Sequence, residues 1–358
     1  MSLNTFDHPS HPTWGENRPA TLAAALAGDA QAFAALAEPY RKELLTHCYR
    51  MLGSLEDAED QVQETMLRAW RRLETYQGRA SLRAWLYKIA TNVCLDVLAR
   101  HPKRSLPVAL GAPSDPLIPP GQPVLEPVWI EPYPDELLVP EAASPEARFE
   151  TWESISFAFL IALQELPPRQ RCALILGDVL DWQAVEIAGV MDISVSAVNS
   201  LLHRARLTLK QRYPGQKAEG RISISTPEPS GPRQKQLLER YLRAWETADI
   251  DGIVSMLTED ATFPMPPLPS WYQGREAIRA FILATSLAGE AVGRWRLLPI
   301  HANALPGFAF YVRDEANGSY LPFALQVLHF EGELLSDVTT FGTPGLFPAF
   351  GLAMALAG

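Results

Sequence analysis

A proline-rich, acidic segment near the middle of the chain excludes a single continuous domain. Residues 105–150 hold 11 of the 31 prolines and carry 8 acidic side chains against one arginine. Proline removes a backbone donor and keeps the preceding residue out of the helical region, so this stretch sustains neither a long helix nor a central strand. It is therefore expected to be an extended acidic linker between folded blocks.

A second break, rich in proline and glycine, leaves three folded blocks in the 358 residues. In the third block, runs of alternating polarity follow two helical stretches, which favours an α+β fold over a parallel sheet. The sequence thus predicts a multidomain chain of two all-α domains, the second with a helix-turn-helix, and a final α+β domain. The expected boundaries are a flexible tail at 1–28, helical domains at 29–104 and 146–213, linkers at 105–145 and 214–231, the α+β domain at 232–345 and a C-terminal tail at 346–358.

Composition excludes several classes of protein. The net charge of −10 excludes a uniformly basic nucleic-acid coat, although a local basic face remains compatible with it. The three cysteines, Cys48, Cys94 and Cys172, are far apart, which argues against a disulfide scaffold and a cysteine-rich metal site. The sequence contains no apolar run of about 18 residues. We therefore expect a cytoplasmic protein with no membrane contact, no metal and no cofactor.

Residues 181–206 predict a helix-turn-helix, with the reversal at Gly189 and the second helix capped by Ser194. Residues 193–216 contain four basic side chains and no acidic one. Small polar groups followed by basic groups along one helix suit insertion into the major groove of DNA. The alternative is a plain antiparallel helix pair with a solvated basic face. The polar face of the second helix comprises Ser196, Asn199, Ser200, His203 and Arg204, and Arg206 and Lys210 are expected to contact phosphates.

The first block is predicted to begin with a helix capped by Asp29, which follows Gly28, and to contain two further amphipathic helices. Residues 57–70 place Asp60 and Glu64 opposite an apolar stripe. Residues 81–96, capped by Ser81, interleave basic and aromatic side chains, a combination that suits single-stranded nucleic acid. Taken alone, Asp60 would more often be a solvated charge and Trp85 a core residue.

Together these motifs resemble those of bacterial extracytoplasmic-function (ECF) RNA polymerase sigma factors, over about residues 30–213. Asp-Ala-Glu-Asp-x-Val-Gln-Glu-Thr at 57–65 looks like the family's region for binding core polymerase. Ser-Leu-Arg-Ala-Trp-Leu-Tyr-Lys-Ile-Ala-Thr-Asn at 81–92 looks like its region for the promoter −10 element. Leu-Pro-Pro-Arg-Gln-Arg at 166–171, followed by the helix-turn-helix, looks like its −35-binding region.

The resemblance implies that the partners are core RNA polymerase and promoter DNA, and it assigns residues to each. The residues implied for polymerase are Asp60, Gln63, Glu64 and Arg68. Those implied for −10 DNA are Arg83, Trp85, Lys88 and Asn92. Those implied for −35 DNA are Arg169, Arg171, Ser196, Asn199, Ser200, His203 and Arg204, and we add Arg206 and Lys210 on the same helix.

The third block resembles the SnoaL-like, cone-shaped α+β fold shared by polyketide cyclases and ketosteroid isomerases, through residues 241–249 and 257–278. One subgroup of sigma factors carries such a domain, and residues 129–135 look like that subgroup's linker. The resemblance implies an apolar cavity, which leaves a small-molecule ligand open. The residues expected to line it are Phe263, Met265, Trp271, Tyr272, His301, Phe310 and Gln326.

The expected function is promoter-specific transcription initiation, with the SnoaL-like domain contacting the sigma module and controlling it. Two alternatives remain at this stage. One is a helix-turn-helix regulator that acts without polymerase, and the other is a cyclase- or isomerase-like enzyme with accessory DNA-binding helices. No spacing brings the candidate acid–base groups together, so we expect no catalytic residue and no enzyme. These candidate groups are Asp260, His301, His329 and Asp337.

Overall fold

The structure is a computed structural model that describes residues 18–78, 80–101, 103–124, 129–138, 154–212 and 231–358. All but the last residue of the expected linker at 214–231, residues 139–153 and the first 17 residues of the expected N-terminal tail lie outside these ranges. Two helical blocks precede a sheet with helices packed on one face, so the predicted fold class is confirmed.

The first block is a bundle of helices. Two predicted caps close helix ends: Asp29 Oδ1 accepts from the amides of Gln31 and Ala32 at 2.9 and 3.1 Å, and Ser81 Oγ accepts from that of Ala84 at 3.1 Å. Each cap satisfies amides that have no partner inside the helix. The helices are α1 (Arg18–Leu26), α2 (Ala30–Ala37), α3 (Arg41–Leu52), α4 (Leu55–Arg71) and α5 (Leu82–Leu98).

The end of the expected N-terminal tail is folded, so that part of the prediction is wrong. Residues 18–26 form α1, in which Ala25 is buried and Leu22 packs against the same core. Pro19 lies in the first turn of α1. Proline is well tolerated there because its missing N–H would have no partner inside the helix. The alanines and leucines that follow supply the apolar face.

The second block contains the helix-turn-helix, with its turn displaced from the predicted position. Gly189 lies inside a helix, and the chain reverses at Asp192, whose φ of 51° and ψ of 48° are left-handed. Aspartate tolerates this conformation better than most residues. Ser194 caps the next helix as predicted, its Oγ accepting from the Ala197 amide at 3.2 Å. The helices are α6 (Phe157–Gln164), α7 (Pro168–Leu174), α8 (Ala184–Met191) and α9 (Val195–Arg212).

The expected linker is only partly solvated: residues 108–123 are mostly exposed, whereas residues 129–138 are packed between the blocks. Ile130 and Tyr133 are fully buried, and the Tyr133 hydroxyl lies 3.1 Å from Thr46 Oγ1. Glu131 Oε2 accepts from Ser54 Oγ and from the Leu55 amide, both at 2.9 Å, which adds a second acceptor at the start of α4. This part of the linker, which contains Ile130 and Tyr133, therefore belongs to the folded core of the helical blocks.

The third block is a six-stranded sheet covered on one face by helices. The strand order is β2-β1-β6-β5-β4-β3, and every pairing is antiparallel except β1 with β6. Tyr241, Trp245 and Phe281 from the helices pack against Phe308 and Phe310 of the sheet. The elements are α10 (Pro232–Glu246), α11 (Ile250–Ser255), β1 (Leu257–Pro264), β2 (Trp271–Gln273), α12 (Arg275–Ala284), β3 (Trp295–Ala302), β4 (Leu305–Arg313), β5 (Tyr320–Glu331) and β6 (Leu334–Phe341).

The other face of the sheet is covered by the chain's last residues and by the second block. Residues 346–358, expected to be a tail, are instead packed, with Phe347 fully buried. Tyr320 and Leu356 exchange two backbone hydrogen bonds of 2.9 Å. Phe157, at the start of α6, stacks on Phe341 with ring centroids 5.7 Å apart. The tail prediction fails because this sheet is apolar on both faces and needs a second cover.

Within the described ranges, no single helix is long and apolar enough to cross a membrane. Helices α8 and α9 meet the length and composition criteria only as a pair bent by 101°.

Candidate nucleic-acid interface

The recognition helix α9 presents the polar face that the sequence predicts. Ser196, Asn199, Ser200, His203 and Arg204 are all exposed, while Val198 on the opposite side is fully buried. A 3.6-residue period produces this separation, because the apolar stripe anchors the helix to the block and turns the polar side outwards. The exposed side has the residue types and the helical placement needed to read base edges.

The two basic side chains near the end of α9 differ in their surroundings. Lys210 is exposed, whereas Arg206 forms a two-point ion pair with Asp178 at 3.0 and 2.5 Å. Hydrogen bonding to Asp178 raises the pKa of Arg206. The fork geometry of arginine suits such pairing. The guanidinium of Arg206 is thus already occupied by a carboxylate of its own block.

Arg171 is not available to DNA, which corrects the sequence expectation. Its side chain is buried, with Nε donating to the Leu163 carbonyl at 2.9 Å and Nη2 to the Leu166 carbonyl at 3.3 Å. Nη1 donates to the Met51 carbonyl of α3, in the other helical block. Burial lowers the pKa of Arg171 to about 10, so it stays charged at neutral pH. Arg169, by contrast, is exposed.

The four residues implied for −10 DNA lie on α5 with different degrees of freedom. Asn92 is exposed and Trp85 is half-buried against Tyr76, with ring centroids 5.4 Å apart. Arg83 pairs with Glu43 at 2.8 Å, and Lys88 is half-buried. The cationic and aromatic groups do share one helix, as predicted.

The second helical block lies on the part of α5 that carries Arg83 and Lys88. Lys88 Nζ donates to Asp192 Oδ1 at 2.6 Å, and Asp192 is the turn residue of the helix-turn-helix. The Arg83 guanidinium stands 5.3 Å from the centre of the Trp182 ring, and Trp182 also packs on Tyr87 at 5.0 Å. We call this packing of Trp182 and Asp192 on α5 the closed arrangement. It occupies both cations with groups other than phosphate.

The residues implied for polymerase lie together on α4. Asp60 and Gln63 are exposed, and Glu64 pairs with Arg68 one turn later at 2.6 Å. Arg68 also reaches Asp96 of α5 at 3.4 Å. Exposed i,i+4 pairs contribute only a few tenths of a kcal/mol, so this face is open to a partner.

Replacing Asp60 and Glu64 together by alanine is expected to weaken binding to core polymerase while leaving the fold intact, because both carboxylates lie outside the core. Co-purification with core polymerase and thermal unfolding measure the two effects. The matched control removes the same charge from exposed positions of the third block, with Glu276→Ala and Glu315→Ala. Unchanged co-purification of the α4 variant would contradict the assignment.

Asn199→Ala and Lys210→Ala are expected to affect DNA binding differently. Loss of one base contact reduces discrimination between specific and random DNA by about 1–3 kcal/mol. Loss of one phosphate contact weakens binding to all sequences alike and flattens the salt slope by about one unit. Fluorescence anisotropy on promoter and random duplexes at several salt concentrations separates the two results. An equal loss on both duplexes for Asn199→Ala would rule out its role in reading bases.

The third block encloses an apolar cavity of about 460 Å³. Of the seven residues expected to line it, Phe263, Met265, Phe310 and Gln326 do so. Trp271 and Tyr272 instead lie on β2, and His301 is exposed near the end of β3. Trp271 fails because neighbouring strand residues face opposite sides of a sheet, and it is Tyr272 that pairs with the lining residue Phe263. Tyr272 stacks at 4.3 Å on Phe281, which lines the cavity in its place. His301 lies at the opposite end of β3 from the lining residue Trp295.

The candidate acid–base groups do not meet in this cavity. Asp260, His301 and His329 are exposed. Asp337 accepts from the hydroxyls of Thr262 and Thr339 at 2.5 and 2.6 Å, and burial raises its pKa. None of the four lines the cavity, among the residues described.

Asn303 joins segments of all three blocks, and sequence reasoning did not single it out. It occupies the tip of the β3–β4 hairpin with φ of 56°, and its Nδ2 donates to the Tyr49 hydroxyl at 2.9 Å and to the Ile155 carbonyl. Its Oδ1 accepts from the Tyr133 amide at 2.8 Å. The only sequence signal was an asparagine in a tight hairpin, which predicts the turn but not its partners.

The next residue of the hairpin holds a carboxylate from the linker. The Ala304 amide donates to Asp135 Oδ1 at 3.0 Å. Burial raises the pKa of Asp135 to about 7, although the hydrogen bond from Ala304 opposes this shift. Docking of the hairpin therefore favours the protonated form of the Asp135 carboxyl, compared with the same side chain exposed to solvent.

These features define a modular DNA-binding protein with an appended cone-shaped domain, and the comparisons with known proteins agree. The sigma-70 region 2 family matches residues 36–104, the sigma-70 region 4 family matches 157–209, and the SnoaL-like domain family matches 238–322. Hereafter, region 2 denotes the first helical block, region 4 the second, and SnoaL-like domain the third.

Individual relatives point the same way. The ECF RNA polymerase sigma factor SigG of Mycobacterium tuberculosis is 44% identical over 326 residues, covering 90% of this chain and 85% of that protein. SigW of Bacillus subtilis is 28% identical over 52% of this chain and 90% of its own length. The crystal structure of SigJ from M. tuberculosis, 22% identical, aligns with a TM-score of 0.55 over 89% of this chain and all of that one. The chain belongs to the ECF sigma factors, and it is a transcription regulator rather than an enzyme.

Proposed function

We propose that this ECF sigma factor is held inactive by its own SnoaL-like domain, in the cytoplasm, and that release of this domain frees its surfaces for core polymerase and promoter DNA. The polymerase face on α4 and the recognition face of α9 are exposed in the closed arrangement. The α5 cations, in contrast, are engaged by region 4. Promoter DNA therefore competes with Trp182 and Asp192 for α5.

The observation that carries this proposal is the position of Asn303. Its side chain is fully buried and joins α3, the linker and the start of region 4 at one point of the SnoaL-like domain. Separating region 4 from region 2 moves these three segments apart. Three hydrogen bonds, each contributing about 0.5–1.5 kcal/mol, resist that separation.

Apolar packing supports the same conclusion. Phe157 of region 4 stacks on Phe341 of the sheet, and Leu106 of the linker packs against the same cluster. Trp271 donates from Nε1 to the Gly111 carbonyl of the linker at 3.1 Å. These contacts between the SnoaL-like domain and the sigma module are apolar or neutral hydrogen bonds. Charge attraction is therefore not needed to explain how the domain is held.

Run-off transcription with core polymerase tests the proposal directly. Removing residues 232–358 is expected to increase promoter-dependent transcription, because the SnoaL-like domain then no longer holds region 4 against α5. Adding the isolated domain in excess is the control and should reduce the gain. Equal transcription by the two chains, together with an unchanged small-angle scattering profile on adding the domain, would reject intramolecular control.

A further inference from the structure

The cavity of the SnoaL-like domain has the size and lining of a small-molecule site. Its volume of about 460 Å³ lies within the range of about 300–1,000 Å³ that such sites occupy. No charged side chain lines it among the residues described, and its walls are mainly apolar, with six aromatic side chains and five prolines. The aromatic lining residues are Trp245, Phe263, Phe281, Trp295, Phe310 and Phe323.

A few buried polar groups are available inside this lining. Gln326 accepts from the Tyr241 hydroxyl at 2.8 Å and donates to Thr340 Oγ1 at 3.0 Å. Trp245 is 2% exposed, and its indole N–H has no acceptor in hydrogen-bonding geometry, although the Tyr241 hydroxyl lies beside it. The Trp245 Nε1 atom itself is not accessible from the cavity, so the amide of Gln326 and the hydroxyl of Thr340 are the buried polar groups that the described lining offers to a ligand.

One wall of the cavity comes from outside the SnoaL-like domain. Pro120 and Pro123, in the linker between regions 2 and 4, line it. The Gly121 amide between them donates to Ser270 Oγ at 3.0 Å, and the Val124 amide donates to the Pro267 carbonyl at 2.9 Å. We call residues 111–124 the linker wall.

The linker wall is fixed at its other end by β2. Trp271 donates from its indole to the Gly111 carbonyl, and its own carbonyl accepts from the Ser114 amide at 2.7 Å. The wall is therefore held by backbone hydrogen bonds at both ends. It is part of the cavity only while the SnoaL-like domain is docked against the sigma module.

We propose that the cavity binds an uncharged, largely aromatic molecule with a hydrogen-bond acceptor, and that this ligand locks the sigma factor in its closed arrangement. The inference rests on the proposed function, because it uses the docked domain as the inactive state. A bound molecule contacts Pro120 and Pro123 only when the linker wall is in place. It thus binds the docked state more tightly, and by linkage it increases the docked population by the same factor.

The chemistry of the lining sets the ligand class. An ionic group would lose its hydration without gaining a countercharge, so charged molecules are disfavoured. Flat rings suit the aromatic side chains of the walls, and an oxygen acceptor suits the amide of Gln326, which has a second N–H besides the one donated to Thr340. The ligand acts as a corepressor, because it favours the state in which α5 is covered.

Nile red, an uncharged polycyclic dye with a carbonyl oxygen, is the probe, and its fluorescence measures binding to the full chain. Gly121→Val is the test variant, since even a Cβ at Gly121 would lie 3.3 Å from Pro269 Cγ and push the linker wall away. Gly111→Val is the matched control, because a Cβ there meets nothing within 4 Å. We expect saturable binding to the wild type, at least about fivefold weaker binding to Gly121→Val, and little change for the control.

Two further variants keep the test decisive if Gly121→Val folds poorly by circular dichroism. Ser270→Ala removes the acceptor of the Gly121 amide and should also weaken binding. Ala324→Phe fills the cavity from β5 and should abolish binding without lowering the melting temperature. Absence of saturable binding to the wild type, equal affinity in the linker-wall variants, or retained binding in a folded Ala324→Phe would each overturn the inference.

The same dye distinguishes this inference from the proposed function. Saturating Nile red should lower the run-off transcription that the wild-type protein directs. The expected decrease equals the ratio of the dye's affinities for the wild type and for Gly121→Val. Transcription directed by Ala324→Phe should not change. The binding measurements contain no polymerase, so their failure leaves domain control intact. If binding behaves as expected but neither the dye nor removal of residues 232–358 alters transcription, the proposed function is the part that fails.

Discussion

Replacing Asn303 by glycine should open the closed arrangement and raise promoter-dependent transcription. Glycine adopts the φ of 56° without strain, so the hairpin keeps its shape while the side chain is lost. The Tyr49 hydroxyl, the Ile155 carbonyl and the Tyr133 amide then lose a partner in a buried position. At about 1 kcal/mol for each bond, the docked state loses about 2–4 kcal/mol, or at least about tenfold in its population ratio.

Run-off transcription and small-angle scattering of the full chain measure this effect. Asn317→Gly is the matched control, because Asn317 is an exposed loop asparagine whose Oδ1 accepts only from the nearby Ser319 amide. We expect the control to match the wild type in both measurements. An Asn303→Gly chain with unchanged scattering and transcription would show that the hairpin does not hold the domain in place.

Replacing Arg171 by methionine should strongly destabilise region 4. The guanidinium supplies donors to the carbonyls of Leu163, Gln164 and Leu166 around the end of α6 and to Met51 of region 2. The Leu163 carbonyl keeps the Leu166 amide as a donor, whereas the others lose the donor that Arg171 provides. Buried carbonyls left without donors cost about 1–3 kcal/mol each before relaxation, so the free energy of unfolding should fall by about 3–5 kcal/mol.

Urea denaturation measures this change, with Arg169→Met as the control. Arg169 is exposed on the same helix, and surface substitutions of this kind change stability by less than about 0.5 kcal/mol. The ratio of specific to random DNA affinity should remain unchanged in Arg171→Met at a urea concentration where it stays folded. A variant as stable as the wild type but with reduced promoter specificity would restore Arg171 to the DNA-binding surface.

The contrast between Arg169 and Arg171 shows what the sequence was able to predict. Both belong to one motif, and the motif correctly placed them at the start of region 4. Residues two positions apart in a helix lie about 200° apart around its axis, so one side chain faces solvent and the other faces the core. Deciding which is which requires the carbonyls of α6 and α3, whose positions depend on tertiary packing.

Local and non-local features were predictable to different extents. The caps at Asp29, Ser81 and Ser194 depend on amides two or three residues away, so the local sequence alone identified them. The turn at Asp192 was assigned to Gly189 because glycine is the commoner left-handed residue. Asn303 has partners near residues 49, 133 and 155, and no short-range pattern indicates contacts at such separations.

The order of these partners along the chain has a consequence for synthesis. Every segment that Asn303 joins precedes it, so a ribosome completes regions 2 and 4 before the SnoaL-like domain exists. At about 5–20 residues per second, the 127 residues from 232 to 358 take about 6–25 s to add. During that interval the nascent module is held closed by contacts within it, such as Lys88 with Asp192 and Arg171 with Met51. Each new molecule therefore passes through a brief stage in which its SnoaL-like domain has not yet been translated.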